Sequence, residues 1–433
     1  MSAGASEPAR KIVFVNRYFY PDQSATSQML SDLAFGLARR GFSVHVVCSR
    51  QRYDHAQANL PSSQHIAGVR VHRVWTTRFG RDWLPGRAMD YASFYVSSGV
   101  RLLSLVARAD TLVAETDPPL ISLVAAAVTA VRRARLVNWL HDVFPEVATL
   151  LGANPLPPWI GRLLVRLRDA SLQAAGSNVV LGTRMRELLR RQVPRSKLCI
   201  IENWAASEAG ERANARNELR IRLGLADKFV VGYSGNLGRA HEFQTLLDAA
   251  SRCGGDPDIV FLMIGAGAGM NALRQAVADR DLGNFRFLPF QPRESLADTM
   301  AAADVHWLSL LPALEGLIVP SKLYGILAAG RPVLFIGDPD GEVARVIGPA
   351  RAGLTVSIGE GTELARHIVR LKTDRMLRET MGANAYRLYG ERYTEQRALD
   401  LWTELLGAAG GGTERLTPES PVADAGFRPP SSR

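Results

Sequence analysis

The 433-residue chain has only three cysteines, Cys48, Cys199 and Cys253. They are odd in number and far apart, and none lies in a Cys-x-x-Cys or Cys/His cluster. A disulfide framework and a thiolate zinc site are therefore excluded, and the reducing cytoplasm is the expected location. Long hydrophobic runs are also missing. The longest, Pro118 to Val131, opens with two prolines and falls short of the roughly 18 residues that a membrane span needs. It reads as a buried helix. The first residues, MSAGASEPARK, lack the apolar core of a signal peptide. No Gly-x-Gly-x-x-Gly with a ribose-binding acid downstream is present, which argues against a nicotinamide oxidoreductase. No RRM, KH, zinc-finger or helix-turn-helix signature is present either, so nucleic acid is not an expected partner.

What is there is an ordinary globular composition, 47% hydrophobic and 22% charged, with a net charge of +10. The charge is unevenly placed. Residues 1–200 hold 26 basic and 13 acidic residues, and residues 201–433 hold 26 and 29. The first half is strongly basic and the second nearly neutral, so the first suits an anionic partner.

Compact apolar runs alternate with helical periodicity. KIVFV (11–15) reads as a strand buried on both faces. Met29, Leu30, Leu33, Ala34 and Leu37 follow at helical spacing and stop at Gly41. Further strands are expected at 43–48, 69–74, 110–114, 134–140, 178–182 and 198–201. A second series is expected at 228–234, 259–265, 285–290, 305–310 and 331–337. This is the pattern of an α/β protein with two Rossmann-like, doubly wound parallel sheets and a cleft between them. The expected domains are 1–204, with 1–10 flexible, and 205–390. The stretch 205–217 is a candidate linker. A helix at 391–409 would pack back on the first domain, and 410–433 would be a disordered tail.

Ligands of open α/β sheets bind where strands run into helices. Four such loops carry candidate chemistry. Ser24 and Thr26 precede the first helix, where free N–H groups suit a phosphate, although plain N-capping explains them too. Gly235 lets backbone approach a ligand, and Asn236, Arg239 and His241 offer donors. Gly265 opens a Gly-x-Gly-x-Gly run, a weak signal by itself. In the fourth loop Ser321 reads as an N-cap and Lys322 falls in the first helical turn. A cation there opposes the helix dipole unless an anion sits nearby. Ahead of it, Glu315, with Gly316 and Leu317, could meet sugar hydroxyls. His141 and Asp142 end a buried strand of the first domain and are candidates for positioning an acceptor and handling its proton. Asp338 and Asp340 form Asp-x-Asp in a Gly/Pro turn and read as turn chemistry, with no metal site expected.

Glu315-Gly316, Pro320-Ser321-Lys322 and the helix ending AAGRPV resemble the donor-site signature of glycosyltransferase family 4, retaining enzymes of the GT-B fold. YFYPDQSATSQ, LHDVFPE (140–146), VLGTRM, IENW, YSGNLG, MIGAGAG and FLPFQPRESL fall in that family's order over residues 10–405. The resemblance is to exopolysaccharide, colanic-acid and O-antigen members. It implies a UDP- or GDP-linked sugar as donor substrate, no separate cofactor and no metal. It also implies that Glu315 contacts the donor sugar and that Phe290 and Gln291 cradle the base. The family's second glutamate is not conserved in type, since Leu323 or Gly325 stands there, and Glu342 is a possible substitute at the ribose.

Basic residues beside Trp83, Tyr91, Phe94 and Tyr95, and beside Trp159, Ile160, Leu163, Leu164 and Leu167, suit an anionic membrane surface. That fits a lipid-linked saccharide acceptor and a peripheral place on the inner face of the plasma membrane. A nucleotide-sugar 2-epimerase and an inactive scaffold of the same fold remain alternatives.

Overall fold

The computed structural model describes residues 10–80, 83–152, 157–205, 217–292 and 295–407. The expected flexible start apart from Arg10, the interior of the candidate linker and the expected tail lie outside them.

The first lobe runs Lys11–Val15 (β1), Ala25–Arg39 (α1), Ser43–Ser49 (β2), Ser63–Ile66 (β3), Val69–Val74 (β4), Leu84–Leu105 (α2), Thr111–Ala114 (β5) and Ile121–Arg132 (α3). It continues with Arg135–Trp139 (β6), Glu146–Leu150 (α4), Pro158–Ala174 (α5), Ser177–Val180 (β7), Thr183–Leu189 (α6) and Leu198–Ile200 (β8). Its sheet has the order β3-β4-β2-β1-β5-β6-β7-β8, parallel except for β3. The central strands β1, β2, β5 and β7 are buried along almost their whole length, as strands covered on both faces by helices are.

The second lobe runs Glu218–Arg222 (α7), Phe229–Asn236 (β9), Gln244–Arg252 (α8), Ile259–Ala266 (β10), Ala268–Asp279 (α9), Phe285–Leu288 (β11), Leu296–Ala301 (α10) and Val305–Ser309 (β12). Lys322–Ala328 (α11), Val333–Ile336 (β13), Glu342–Ile347 (α12), Gly353–Val356 (β14), Gly361–Thr373 (α13) and Arg375–Arg392 (α14) complete it. The order is β11-β10-β9-β12-β13-β14, all parallel. Both sheets are doubly wound, as the strand pattern predicts. Their order reverses between β1 and β5 and between β9 and β12, so each lobe has one topological switch point.

Two strands were not readable. β3 is solvent-facing and pairs with β4 through Ala67-Gly68, whose φ angles of 46° and 85° are those of a tight hairpin turn. β14 is four residues long and starts with glycine.

The lobes share a core. Leu140, Val143, Leu181, Met185 and Leu189 of the first pack in one buried cluster with Leu310, Leu314, Leu317, Leu323 and Val343 of the second. A final helix, Glu395–Gly407 (α15), returns to the first lobe. There Leu399 and Trp402 join α1 and the Trp139–Trp204 stack. No helix among the described residues is long and apolar enough to cross a membrane.

Candidate functional site

The second lobe's switch point is built around Lys322. Its largely buried Nζ lies 3.3 Å from His241 Nε2 and 5.3 Å from the centre of the Tyr233 ring. His241 Nδ1 is 2.6 Å from the Ser309 carbonyl oxygen at the end of β12. Nδ1 must carry the proton to donate there, so neutral His241 presents Nε2 as an acceptor. This corrects the expectation that His241 offers a donor. Burial and the neighbouring Lys322 push the imidazole down to about 4, which keeps it neutral. Burial pushes Lys322 down to about 8. No carboxylate among the described residues pairs with Lys322, so its charge has only a ring face and an imidazole lone pair for company. Ser321 takes helical angles and makes no capping bond, contrary to the N-cap reading.

The glycines have packing reasons. A Cβ on Gly235 would sit 2.7 Å from Lys322 Cε, and the φ of 134° there is one that side chains avoid. Gly265 lies against the Gly235 carbonyl of the next strand, where a Cβ would collide with backbone. It lets the ends of two neighbouring strands touch. Asn236 and Arg239 are exposed on the same loop. Phe290, 57% exposed, and Gln291 stand on the loop after β11, and Gln291 Nε2 donates to the Pro289 carbonyl at 3.0 Å.

Glu315 and Glu342 form a chain across the cleft. Glu315 Oε2 accepts from the Glu342 backbone N–H at 3.0 Å, while its buried Oε1 has no protein partner. Burial first, then Asp338 and Glu342, hold its carboxyl above the usual range. Glu342 accepts from Thr183 N at 3.1 Å, Thr183 Oγ1 at 3.0 Å and Arg184 N at 2.7 Å. These belong to the start of α6 in the other lobe. Both Glu342 oxygens are thus spent on the facing lobe, and the expectation that they are available to a ribose is not met in this conformation. Gly316 faces the Arg184 backbone, and the Leu317 carbonyl accepts from Val143 N at 2.9 Å, so both join the lobes where donor contacts were expected. Arg184 reaches Asp338 and Asp340 at 3.5 Å each, and Arg345 reaches Glu187 at 3.2 Å. The Asp-x-Asp carboxylates are occupied by arginines, and Asp338 Oδ1 accepts from Asp340 N in the expected turn.

The first lobe brings His141 and Asp142 to the same cleft. Asp142 pairs by backbone with Ile318, between Glu315 and Lys322 in sequence. Burial, with Asp117 adding to it, pushes the Asp142 carboxyl up to about 6. His141 packs on Trp139 at 4.7 Å, and its Nε2 lies 3.3 Å from Glu115 Oε1. Glu146 is scaffold: Arg168 grips it with two bonds of 3.1 and 2.8 Å. At the first helix, Ser24 donates through N and Oγ to Asp22, which also accepts from Tyr53 N. Ser24 is thus engaged with the protein's own carboxylate just ahead of α1. Tyr233 and Glu115 carried no signal in sequence: one lies inside a strand, and the other looks like the start of a Thr-Asp-Pro-Pro turn.

Comparison with known proteins adds a family. Residues 25–204 match the family described as "Glycosyl transferase 4-like domain", and residues 215–388 match "Glycosyl transferases group 1". The chain is similar to "Probable glycosyltransferase WbjE" of Pseudomonas aeruginosa, 28% identical over 286 residues, covering 65% of this chain and 70% of that protein. It is also similar to "Putative colanic acid biosynthesis glycosyl transferase WcaI" of Escherichia coli (strain K12), 24% identical over 334 residues, covering 74% and 81%. Among solved structures it resembles Anabaena Alr3699/HepE in complex with UDP-glucose, with a TM-score of 0.67 and 19% identity, over 92% of this chain and all of that one. The two facing parallel-sheet lobes are those of the GT-B fold.

Proposed function

Starting from a chain that belongs to the glycosyl transferases and has the GT-B fold, we propose that it moves a hexose from a UDP- or GDP-linked sugar to a lipid-linked saccharide. The product is a precursor of a bacterial surface polysaccharide. One observation carries this reading: a largely buried ammonium, Lys322, stands at a switch point with no carboxylate among the described residues to balance it. Burying an uncompensated charge is costly, and an arriving diphosphate relieves that cost. The UDP-glucose bound by the similar HepE protein and the colanic-acid role in WcaI's name support the choice of substrates.

The anomeric carbon–oxygen bond to the diphosphate breaks while a bond to the acceptor hydroxyl forms on the same face. The leaving phosphate takes the acceptor proton, so configuration is retained. Lys322 stabilises the charge that develops on the diphosphate, and this electrostatic help is the main contribution such a reaction needs. Glu315 orients the donor sugar, Phe290 and Gln291 flank the base, and His141 with Asp142 orients the acceptor. No separate cofactor and no metal take part.

The acceptor is met at a membrane. Trp83 and Trp159 are 55% and 62% exposed; Phe79 and Leu84 are exposed close to Trp83 in the chain, and Leu163, Arg162 and Arg166 are exposed on α5. Helices α2 and α5, which carry them, leave the sheet at the cleft end of their strands. An aromatic rim with basic neighbours suits the headgroup layer of the anionic inner leaflet. The protein therefore works from the cytoplasmic side.

The test is to incubate the purified chain with UDP- and GDP-sugars, with and without a membrane extract. Release of nucleotide together with sugar in the lipid fraction, unchanged by EDTA, is expected. Conversion of the sugar nucleotide without any acceptor would support the epimerase reading instead. Failure to bind any sugar nucleotide would leave the scaffold reading.

A further inference from the structure

Glu115 follows β5, and its N–H donates to the Val15 carbonyl at 3.2 Å. It therefore lies at the first lobe's switch point, between β1 and β5, where ligands of open sheets bind. Its side chain is 0% exposed. One oxygen lies 3.3 Å from His141 Nε2, and the other has no protein partner. Asp90, buried in the same lobe, is by contrast spent on the scaffold. It accepts from Arg17, Thr77 and the Phe79 and Gly80 N–H groups. Glu115 instead spends its side chain on one imidazole. Burial, above all, holds its carboxyl above the usual range, with His141 pulling it down and Asp117 adding to the rise.

The same side chain borders a small cavity of about 30 Å³ that Asn138, Trp139, Asp142 and Arg168 also line. The His141 ring is wedged against Trp139, so it has little freedom to turn. With Nε2 engaged by Glu115, Nδ1 is the ring nitrogen left to the cleft.

We propose that Glu115 is a positioning residue for the acceptor: it receives the His141 Nε2–H and so fixes the tautomer whose bare Nδ1 accepts a hydrogen bond from the acceptor hydroxyl. The proposal rests on the glycosyl-transfer reading of the cleft. A carboxylate behind an imidazole is a general way to set which ring nitrogen carries the proton.

Four variants and one spectrum test it. Glu115→Leu should lower kcat about tenfold or more, with affinity for the released nucleotide within about twofold of wild type. Glu115→Gln keeps an acceptor oxygen and should recover part of the rate. The double variant Glu115→Leu/His141→Ala should match His141→Ala within about twofold, because the two residues act as a unit. Unchanged kcat per folded Glu115→Leu enzyme, or losses that multiply in the double variant, would overturn the proposal. Should Glu115→Leu fail to fold, nitrogen NMR of labelled wild-type protein decides. Protonation of His141 at Nε2 is expected, and protonation at Nδ1 overturns it. The spectrum needs no turnover, so it separates this proposal from the glycosyl-transfer reading, which fails if wild-type protein uses no sugar nucleotide.

Discussion

At the scale of residues, two ionisable groups set the pH window. The Asp142 carboxyl, pushed up to about 6 by burial, must lose its proton before it can hold an acceptor hydroxyl. Activity should therefore rise as pH climbs through about 6. Lys322, pushed down to about 8, must keep its proton to meet a diphosphate, so activity should fall as pH climbs through about 8. A bell-shaped kcat/KM profile with limbs near those values is expected, since that ratio reports the free enzyme. Asp142→Asn should remove the acid limb. Lys322→Arg, permanently charged, should remove the basic limb from whatever rate remains. A basic limb that persists in Lys322→Arg would show that another group controls it. Lys322 was legible in sequence because a cation in a first helical turn breaks a local rule. His241 was misread because the Ser309 carbonyl, 68 residues away in sequence, dictates its tautomer.

At the scale of elements, α6 and α12 form a latch. Glu342 at the start of α12 satisfies two backbone N–H groups and a hydroxyl at the start of α6. A Cβ on Gly182 would collide with the Glu342 carboxylate, so the glycine is what allows this approach. Glu342→Ala strands those donors and should cost about 2–4 kcal/mol of lobe contact. Small-angle scattering of the variant should show a larger radius of gyration than wild type without ligand. Identical scattering, with transfer unchanged, would mean the latch does not hold the lobes. Sequence placed Glu342 near the site but gave it a ribose, because a contact between α6 and α12 leaves no local pattern. The buried parallel strands were plain as apolar runs, whereas β3 and β14 were not: one faces solvent and the other is short and opens on glycine.

At the scale of the whole molecule, the division between a basic half and a near-neutral half acquires a physical address. Part of the first half's charge is internal, as with Arg17 on Asp90 and Arg168 on Glu146. The remainder includes Arg162 and Arg166, exposed on the outer side of α5. The second lobe places one largely buried cation, Lys322, at its switch point. Fold class and the order of motifs were readable because they are set by strand periodicity and loop composition. The facing of the lobes was not, because it depends on Glu342, Leu317 and Gly316 meeting Thr183, Val143 and Arg184 across the cleft.

The central claim is that Lys322 is an unbalanced cation awaiting a diphosphate. The most direct measurement is calorimetric titration of UDP and of GDP into wild-type protein and Lys322→Ala, together with the melting temperature of each ligand-free protein. The account predicts that affinity for the nucleotide that binds falls roughly 10- to 100-fold in the variant. It also predicts that the ligand-free variant melts no lower than wild type, since the lost charge is largely buried and has no carboxylate partner among the described residues. Equal nucleotide affinity in the two proteins would contradict it.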